Sequence, residues 1–154
     1  MLRSDLIAPI PELLRRHAAA HGGKRAYRDA QTSVSYGALL DRTGRLAGHL
    51  ADNGIAANDT VAILLPNSVP WVESCFAIAR AGGISVPISY DSTEPEIAYR
   101  LADANCKAMF TTAERGDLIA RLQASAPNLK TLIVTDRGTC AVPALRYALS
   151  LIHI

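Results

Sequence analysis

The chain has 154 residues, of which 49% are hydrophobic and 19% charged, and its formal net charge is only +2; this length is that of a single domain able to bury a core. The weak charge, without clustered Lys or Arg, argues against a nucleic-acid partner. No run approaches the roughly 18 apolar residues of a spanning helix, and Arg3 and Asp5 interrupt the N-terminus where a secretory signal would be apolar, so we expect a cytoplasmic protein without a transmembrane segment.

The N-terminal residues predict a short helix followed by a small hairpin. Residues 12–21 form a helical segment that begins after two prolines and ends at Gly22-Gly23. Residues 26–28 and 33–35 are short strand-forming segments separated by a polar turn, which is the pattern of an antiparallel hairpin. We expect the short helix to pack on the outside of the domain.

Residues 36–52 predict a longer helix. Ser35 is placed as its N-cap, and Asn53-Gly54 ends it, because glycine takes the left-handed C-terminal conformation at little cost. Residues at three- and four-residue spacing define the face that we expect to be buried. That face consists of Leu39, Leu40, Thr43, Leu46, Ala47 and Leu50.

Two short apolar runs separated by one helix-length segment form the centre of the chain. The first run, residues 61–65, lies between Asn-Asp and Pro-Asn and is too short for a helix, so it predicts a strand buried on both faces. The second run, residues 84–88, predicts another strand. Between them, Ser68 is placed to cap a helix that Gly82-Gly83 ends, and such a crossover makes the strands parallel. The predicted apolar stripe of this helix is Trp71, Val72, Cys75, Phe76, Ile78 and Ala79.

The remaining residues continue the alternation of helix and strand. Thr93 and Glu96 form a capping-box pattern at the start of a helix, residues 107–111 predict a third strand, residues 113–126 a further helix, and residues 131–135 a fourth strand. This alternation predicts an α/β fold with a mostly parallel sheet and helices on both faces. The inward-facing residues of the two helices are expected to be Ile97, Ala98, Leu101, Ala104, Leu118, Ile119 and Leu122.

Five sequence blocks are informative through their order and spacing. They are VSYGAL at 34–39, DTVAILLPNS at 59–68, AIARAGG at 77–83, VP at 86–87 and TEPEIAYRL at 93–101. Over residues 11–135 the chain resembles the N-terminal part of the adenylate-forming (AMP-binding) synthetases, in particular the acyl-CoA ligases. The resemblance implies that residues 1–138 are the N-terminal α/β subdomain, a partial domain of a longer parent. Residues 139–154 have no counterpart, and we expect them to be a disordered or foreign tail, as at the end of a truncated reading frame.

The resemblance also implies a reaction for the full-length parent. Such ligases join a carboxylate to the α-phosphate of ATP, which releases pyrophosphate, and then transfer the acyl group from acyl-AMP to the thiol of coenzyme A. ATP, Mg²⁺, coenzyme A and a carboxylic acid substrate are therefore implied for the parent. The family's phosphate loop, ribose-binding acid and catalytic lysine lie downstream of this chain. We expect no catalytic, cofactor-binding or metal-binding residue in it, no bound cofactor, and no activity of the fragment alone.

Three groups of residues that could suggest a site have simpler explanations. Gly22-Gly23-Lys24 lacks the upstream strand and following helix of a phosphate loop, which favours a helix end and turn. His17 and His21 share a helix face, but Ala18 stands where a zinc-protease helix has glutamate, which favours a solvated face. The cysteines, odd in number and widely spaced, indicate neither a disulfide framework nor a zinc site. They are Cys75, Cys106 and Cys140.

Polar and aromatic residues at the carboxyl ends of the predicted strands form the one location-based indication of a ligand site. Asn67, Trp71 and residues 89–92 follow two strands, and open α/β sheets bind ligands at that edge. Packing is the favoured role of Trp71, because large aromatic residues dominate such contacts. Helix capping explains the nearby Glu94 and Glu96, and exposure to solvent explains Asp91.

These observations favour the N-terminal fragment of an ATP-dependent acid–CoA ligase that acts on a fatty acyl or aryl acid. Two alternatives stay open: a non-catalytic binding module on the same scaffold, and an unrelated small flavodoxin-like domain that binds a phosphate cofactor. No oligomeric state is indicated. Because the parent's other layers are missing from the fragment, we expect it to expose an apolar face and to aggregate.

Overall fold

The computed structural model describes residues 8–123 and 125–136 and the backbone of residues 145–146. Its helices are α1 (Ile10–His21), α2 (Tyr36–Asp52), α3 (Val69–Arg80), α4 (Glu94–Asp103) and α5 (Gly116–Leu122), the last preceded by a 3₁₀ turn at Ala113–Arg115. Its strands are β1 (Arg25–Arg28), β2 (Ser33–Ser35), β3 (Thr60–Ile63), β4 (Ile84–Pro87), β5 (Ala108–Thr111), β6 (Thr131–Val134) and β7 (Leu145–Arg146). None of these helices combines the length and apolar character needed to cross a bilayer.

Strands β3 to β7 form one parallel sheet in the spatial order β4-β3-β5-β6-β7, and β1 and β2 form a separate antiparallel hairpin. In the centre of the sheet, Val61 of β3 lies opposite both Ser85 of β4 and Ala108 of β5, and Ala108 also lies opposite Thr131 of β6. The predicted mostly parallel sheet with a small N-terminal hairpin is confirmed. Strand β7 lies within the predicted tail, and the other residues of 139–154 lie outside the described residues.

Alternate residues of the central strands point to opposite faces of the sheet, and each face is covered by its own pair of helices. On the face covered by α2 and α3, the buried cluster is Leu46, Leu50, Ile55, Val61, Ile63, Leu65, Ala77, Ile78, Ala108, Phe110 and Ile133. On the face covered by α4 and α5, the cluster includes Ala62, Leu64, Ile97, Leu101, Met109, Ile119, Leu122 and Leu132. Helices therefore cover both faces, as predicted.

Helix α1 and the hairpin pack on the outer side of the α2–α3 layer. Their apolar side chains form a third cluster, in which Leu14 of α1 and Val34 of β2 meet Leu39 of α2 and Val69 of α3. Helix α1 ends at Gly22, its C-cap residue. The outer position predicted for α1 is confirmed, and the hairpin is brought to the start of α3.

The local signals for helix ends act as predicted. Ser35 Oγ accepts a hydrogen bond from the N–H of Ala38 at 3.2 Å and caps α2. Gly54 and Gly82 follow α2 and α3 with φ angles of 83° and 80°, the left-handed conformation that favours glycine. These signals depend on residues close in sequence, which is why the sequence alone suffices to find them.

The buried side of α3 differs from the predicted stripe. Its buried residues are Val69, Glu73, Ser74, Ala77 and Ile78. Of the six predicted stripe residues, Ile78 is buried and the other five are half-buried. The reason is α2, which packs along α3 and covers a side that carries polar residues. The apolar residues on the two flanks meet the sheet and the outer cluster instead.

The last helix is shorter than predicted. The segment 113–126 begins as a 3₁₀ turn and continues as α5, which ends at Leu122. Helix α5 begins at Gly116, and the side chain of Arg115, its N-cap residue, makes no capping hydrogen bond. Glycine is a poor helix former, so Gly116 at the junction disfavours one continuous α-helix through this segment. Of the predicted inward residues, Ile119 and Leu122 are buried.

Candidate functional site

The connections after β3 and β5 leave the sheet in opposite directions. The chain after β3 passes through α3 on one face and returns in β4, and the chain after β5 passes through α5 on the other face and returns in β6. Because β3 and β5 are neighbours, a crevice forms between their carboxyl ends, and open α/β sheets bind ligands at such a switch point. Flavodoxin-like domains have the same strand order, so topology alone does not separate them from this chain.

A first pocket, of about 420 Å³, lies at the carboxyl ends of β3 and β4. It is bounded by the first turn of α3 and by the loop that follows β4. Most of the residues singled out by their position at the strand ends line it, whereas Ser92 does not. Those that do are Asn67, Trp71, Ser89, Tyr90 and Asp91. Trp71 is half-buried and packs against the α2–α3 side of the core, whereas Asp91 is exposed to solvent, as predicted.

A second pocket, of about 480 Å³, lies at the switch point itself. Its walls come from the carboxyl ends of β3, β5 and β6, the first turn of α3 and the turn of the hairpin. Two carboxylates line it, and none of its lining residues is Lys or Arg. The polar lining residues are Asp29, Gln31, Thr32, Asn67, Ser68, Thr112, Thr135 and Asp136.

The first turn of α3 already has partners for its N–H groups. Asp29 Oδ2, in the hairpin turn, accepts from the Val69 N–H at 2.8 Å, and the next residue is a proline without an N–H. Ser68 accepts hydrogen bonds from the next two N–H groups of the helix. Its Oγ accepts from the Trp71 N–H at 3.3 Å, and its carbonyl oxygen accepts from the Val72 N–H at 3.3 Å. The start of a helix attracts anions in many α/β proteins, but here the chain's own groups fill it.

Asp29 joins the hairpin turn to α3. Its Oδ1 accepts from the N–H groups of Gln31 and Thr32 at 2.8 and 2.7 Å, which closes the turn. The hydrogen bond from Val69, followed by those from Thr32 and Gln31, lowers the pKa of Asp29, because each favours the carboxylate over the acid. A negative charge is therefore held at the wall of the second pocket.

The two other helical segments that begin at this edge also start on a carboxylate. At α4, the Glu96 carboxylate accepts hydrogen bonds from the N–H and the hydroxyl of Thr93 at 2.8 and 2.9 Å, which confirms the predicted capping box. The hydrogen bond from the Thr93 N–H is the main cause of the lowered pKa of Glu96. At the 3₁₀ turn, Asp136 accepts from the N–H of Ala113 at 3.0 Å. At each of the three helix starts at the carboxyl edge of the described sheet, an internal carboxylate thus binds one N–H group.

Glu94 does not cap α4, so the explanation of both glutamates by capping is wrong for this residue. Its carboxylate pairs with Arg121 of α5, with 3.0 Å between Oε2 and Nη2. The hydrogen bond from Arg121 is the largest cause of the lowered pKa of Glu94. The position of Glu94 in the first turn turns its side chain toward the neighbouring helix, where an arginine is within reach.

The loop after β4 is fastened to the turn after β5 through Tyr90. The Tyr90 hydroxyl lies 2.8 Å from Thr112 Oγ1 and donates to Glu114. The guanidinium of Arg115 lies 4.6 Å from the centroid of the Tyr90 ring and donates to the Tyr90 carbonyl oxygen at 2.8 Å. These contacts fix the position of the loop at the wall of the first pocket.

The remaining candidate residues line neither of these two pockets. His17 and His21 lie exposed on α1, with ring centroids 6.5 Å apart. Cys75 is half-buried, Cys106 is buried, and Cys140 lies outside the described residues. Burial raises the pKa of the Cys106 thiol. Within the part of the chain that the structure describes, no three His, Cys, Asp or Glu residues come together as metal ligands.

Sequence reasoning missed a charged pair between α2 and α3. Glu73 of α3 is fully buried and forms an ion pair with Arg42 of α2, with 3.0 Å between Arg42 Nε and Glu73 Oε1. Arg42 lies three positions after buried Leu39, and Glu73 lies four positions before buried Ala77. Helical periodicity could therefore have placed both charges on buried faces, where opposite charges are expected to pair.

Comparisons with known proteins decide the family. A family model described as AMP-binding enzyme matches residues 14–149. The chain belongs to the AMP-binding enzyme family. A curated relative of this AMP-binding chain, the 4-hydroxybenzoate–CoA/benzoate–CoA ligase of Rhodopseudomonas palustris, is 30% identical over 144 residues, which cover 94% of the chain and 26% of the relative.

Two further similarities extend the family assignment. The medium/long-chain-fatty-acid–CoA/3-oxocholest-4-en-26-oate–CoA ligase of Mycobacterium marinum is 27% identical to the AMP-binding chain over 106 residues, covering 69% of the chain and 19% of the relative. The crystal structure of the N-terminal domain of FACL13 from Mycobacterium tuberculosis superposes with a TM-score of 0.74 at 29% identity, covering 83% of the chain and 34% of that structure. The chain thus spans between about a fifth and a third of these proteins, and the predicted resemblance to adenylate-forming ligases is confirmed.

Proposed function

We propose that this chain is the N-terminal scaffold of a longer, AMP-forming acid–CoA ligase. The parent uses ATP and Mg²⁺ to activate a fatty acyl or aryl acid as its acyl-AMP and then transfers the acyl group to coenzyme A. The chain supplies a parallel sheet, its covering helices and one edge of the ligand cleft. Alone, it is inactive.

The proposed substrate class is supported by the relatives that the chain resembles. One is described as a ligase of benzoate and 4-hydroxybenzoate, and another as a ligase of medium- and long-chain fatty acids. Both activate a carboxylic acid for transfer to coenzyme A. Aryl and fatty acyl acids are therefore the two classes to test first.

The observation that carries the proposal is that an internal carboxylate binds an N–H group at each of the three described helix starts at the carboxyl edge. A phosphate at the start of α3 would compete with the Asp29 carboxylate for the Val69 N–H, and two anions at hydrogen-bond distance from one donor repel each other. The Glu96 and Asp136 carboxylates place a negative charge at the other two starts, which repels a phosphate there as well. Residues from the rest of the parent would therefore have to hold the phosphates of ATP and the Mg²⁺ that would neutralise their charge.

A second candidate, a flavodoxin-like module that binds a phosphate cofactor, is favoured by the strand order alone. The match to the AMP-binding family and the filled start of α3 count against it, because such a module needs open N–H groups at the switch point. Flavin or nucleotide copurified at one equivalent would support that module. A non-catalytic binding module on the same scaffold would instead recover a stoichiometric protein partner in a pull-down.

The test is ATP–pyrophosphate exchange with two proteins, the chain alone and a longer protein that continues it through the remainder of the ligase. Labelled pyrophosphate enters ATP only if acyl-AMP forms reversibly. We expect exchange from the longer protein with benzoate or a medium-chain fatty acid, dependent on Mg²⁺, and none from the chain alone. Exchange by the chain alone, or none by the longer protein with either class of acid, would refute the proposal.

A further inference from the structure

The interface between α2 and α3 contains a buried charge that no step of the proposed function uses. Glu73 of α3 has no exposed side-chain surface, and the side chain of its partner Arg42 is 15% exposed. The pair has two contacts, 3.0 Å between Arg42 Nε and Glu73 Oε1 and 3.2 Å between Arg42 Nη2 and Glu73 Oε2. Only the second contact has hydrogen-bond geometry, and the first is an ion-pair distance. The one charge-assisted hydrogen bond still gives the pair a preferred direction.

A second polar attachment joins the far end of α3 to the same part of α2. Arg80 Nη1 donates to the Leu40 carbonyl oxygen and to Thr43 Oγ1, the latter at 2.9 Å. The guanidinium fits because Gly44 has no side chain; a Cβ there would lie 2.8 Å from Arg80 Nη2. Glu73 and Arg80 are about two helical turns apart, yet both are attached to residues 40–43 of α2.

Stability alone does not explain the ion pair. Replacing a buried pair by apolar residues of similar volume is often neutral or stabilising, whereas removing one partner is strongly destabilising. What apolar contacts lack is direction, because an apolar helix interface tolerates small shifts along its axis. The Arg42–Glu73 pair and the hydrogen bonds of Arg80 both attach α3 to one turn of α2. Together they define where α3 lies along its own axis and how it is rotated about that axis.

That position matters for the site, because the first turn of α3 lies between the two pockets. Trp71 lines the first pocket and the capping residue Ser68 lines the second. We propose that Arg42 and Glu73 are positioning residues: their ion pair sets the position of α3 on α2 and so places Trp71 and Ser68 at the ligand edge. The inference rests on the proposed function, in which these pockets belong to the ligand cleft of the parent.

The chain contains its own reporter for this test. Trp71 is its single tryptophan, so intrinsic fluorescence reads the first turn of α3 without a label. The decisive variant is Arg42→Met with Glu73→Met, which removes both charges and keeps apolar volume in the interface. The matched control is Glu94→Met with Arg121→Met, which removes an ion pair whose side chains are 44% and 58% exposed.

We expect the Arg42/Glu73 double variant to unfold at a denaturant midpoint no lower than that of the wild type. Its Trp71 emission should nevertheless move to longer wavelength and be quenched more strongly by acrylamide, because the first turn of α3 has lost its fixed position. The control double variant should change neither emission nor quenching. A stable Arg42/Glu73 variant with wild-type Trp71 emission and quenching would overturn the proposal, as would lost stability with an unchanged Trp71 signal.

If the double variant does not fold, Arg42→Lys carries the same test, since it keeps both charges and replaces the planar guanidinium with an ammonium group that lacks its fixed direction. In the longer ligase, the folded double variant should lose about tenfold or more in kcat/KM, since small misplacements of positioning groups are costly to rate. The Trp71 measurement needs no ligand, so an inactive longer protein refutes the ligase proposal alone. An unchanged Trp71 signal refutes the positioning proposal alone.

Discussion

The two helical layers of the sheet are built differently. The α2–α3 layer has a charged pair in its interior and an arginine that binds a backbone carbonyl of the neighbouring helix. The α4–α5 layer has an apolar interior, and its ion pair, Glu94 with Arg121, lies on the outside. Both layers cover the same sheet, so hydrophobic burial alone cannot explain the difference.

We attribute the difference to the proposed role of each layer at the carboxyl edge. Helix α3 begins between the two pockets, and its start is tied to the hairpin through Asp29. A layer that places site residues benefits from directional contacts, which select one arrangement. The α4–α5 layer chiefly buries the opposite face of the parallel sheet, and apolar packing is sufficient for that burial.

The largest effect is expected for removal of one partner of the buried pair. Glu73→Met alone leaves the Arg42 guanidinium in the interface without this carboxylate, which should reduce the free energy of unfolding by roughly 3–5 kcal/mol. Urea denaturation followed by circular dichroism measures the loss. Adding Arg42→Met should recover most of it; a loss below about 1 kcal/mol for the single variant would show that the pair is not effectively buried.

The apolar layer should respond to lost volume rather than to lost charge. Leu101 of α4 is 1% exposed, so Leu101→Ala should cost about 2–5 kcal/mol through lost burial and the cavity that remains. The matched control is Leu13→Ala on α1, a residue that is 42% exposed and should lose much less. Equal losses for the two variants, measured by the same denaturation, would contradict the assignment of the α4–α5 core.

A smaller effect is expected where the hairpin caps α3. Asp29→Ala should cost about 1 kcal/mol, the usual effect of a lost helix cap. The pKa of Asp29 is lower in the folded state than in the unfolded state. The contribution of the Asp29 carboxylate to the free energy of unfolding is therefore fully present above the unfolded-state pKa of about 3.9, and it is lost as the pH falls through the folded-state pKa. The stability difference between wild type and Asp29→Asn should therefore shrink on acidification. A difference that grows instead would contradict this role.

The smallest effect is expected at the outer ion pair. Glu94→Gln removes its charge from a solvent-exposed contact with Arg121, where screening leaves little net attraction. Thermal unfolding should show no change beyond experimental error in moderate salt. A clear loss of stability would mean that the α4–α5 layer also depends on charge and that the two layers do not differ as described.

The sequence predicts what depends on neighbouring residues and misses what depends on distant ones. Ser68 and Gly82 mark the two ends of α3 from within a few positions, and both act as predicted. The contact of Asp29 with Val69 spans 40 positions, and that of Arg42 with Glu73 spans 31. Such contacts exist only once the layers have packed, so composition and periodicity could indicate buried faces but not these partners.

The sequence also located part of the site for a simple reason. Parallel strands end at the same edge, so Asn67 and residues 89–91 had to lie near one another once the strands were recognised. The second pocket was not predicted, because one of its walls is the hairpin turn, which is brought there by packing of the outer cluster.

The most direct test of the central claim, that this chain is scaffold and holds no nucleotide, is a calorimetric titration of the 154-residue protein with Mg·ATP. We expect no saturable heat, because each described helix start at the carboxyl edge already holds a carboxylate. Saturable heat that corresponds to one equivalent of Mg·ATP would contradict the claim.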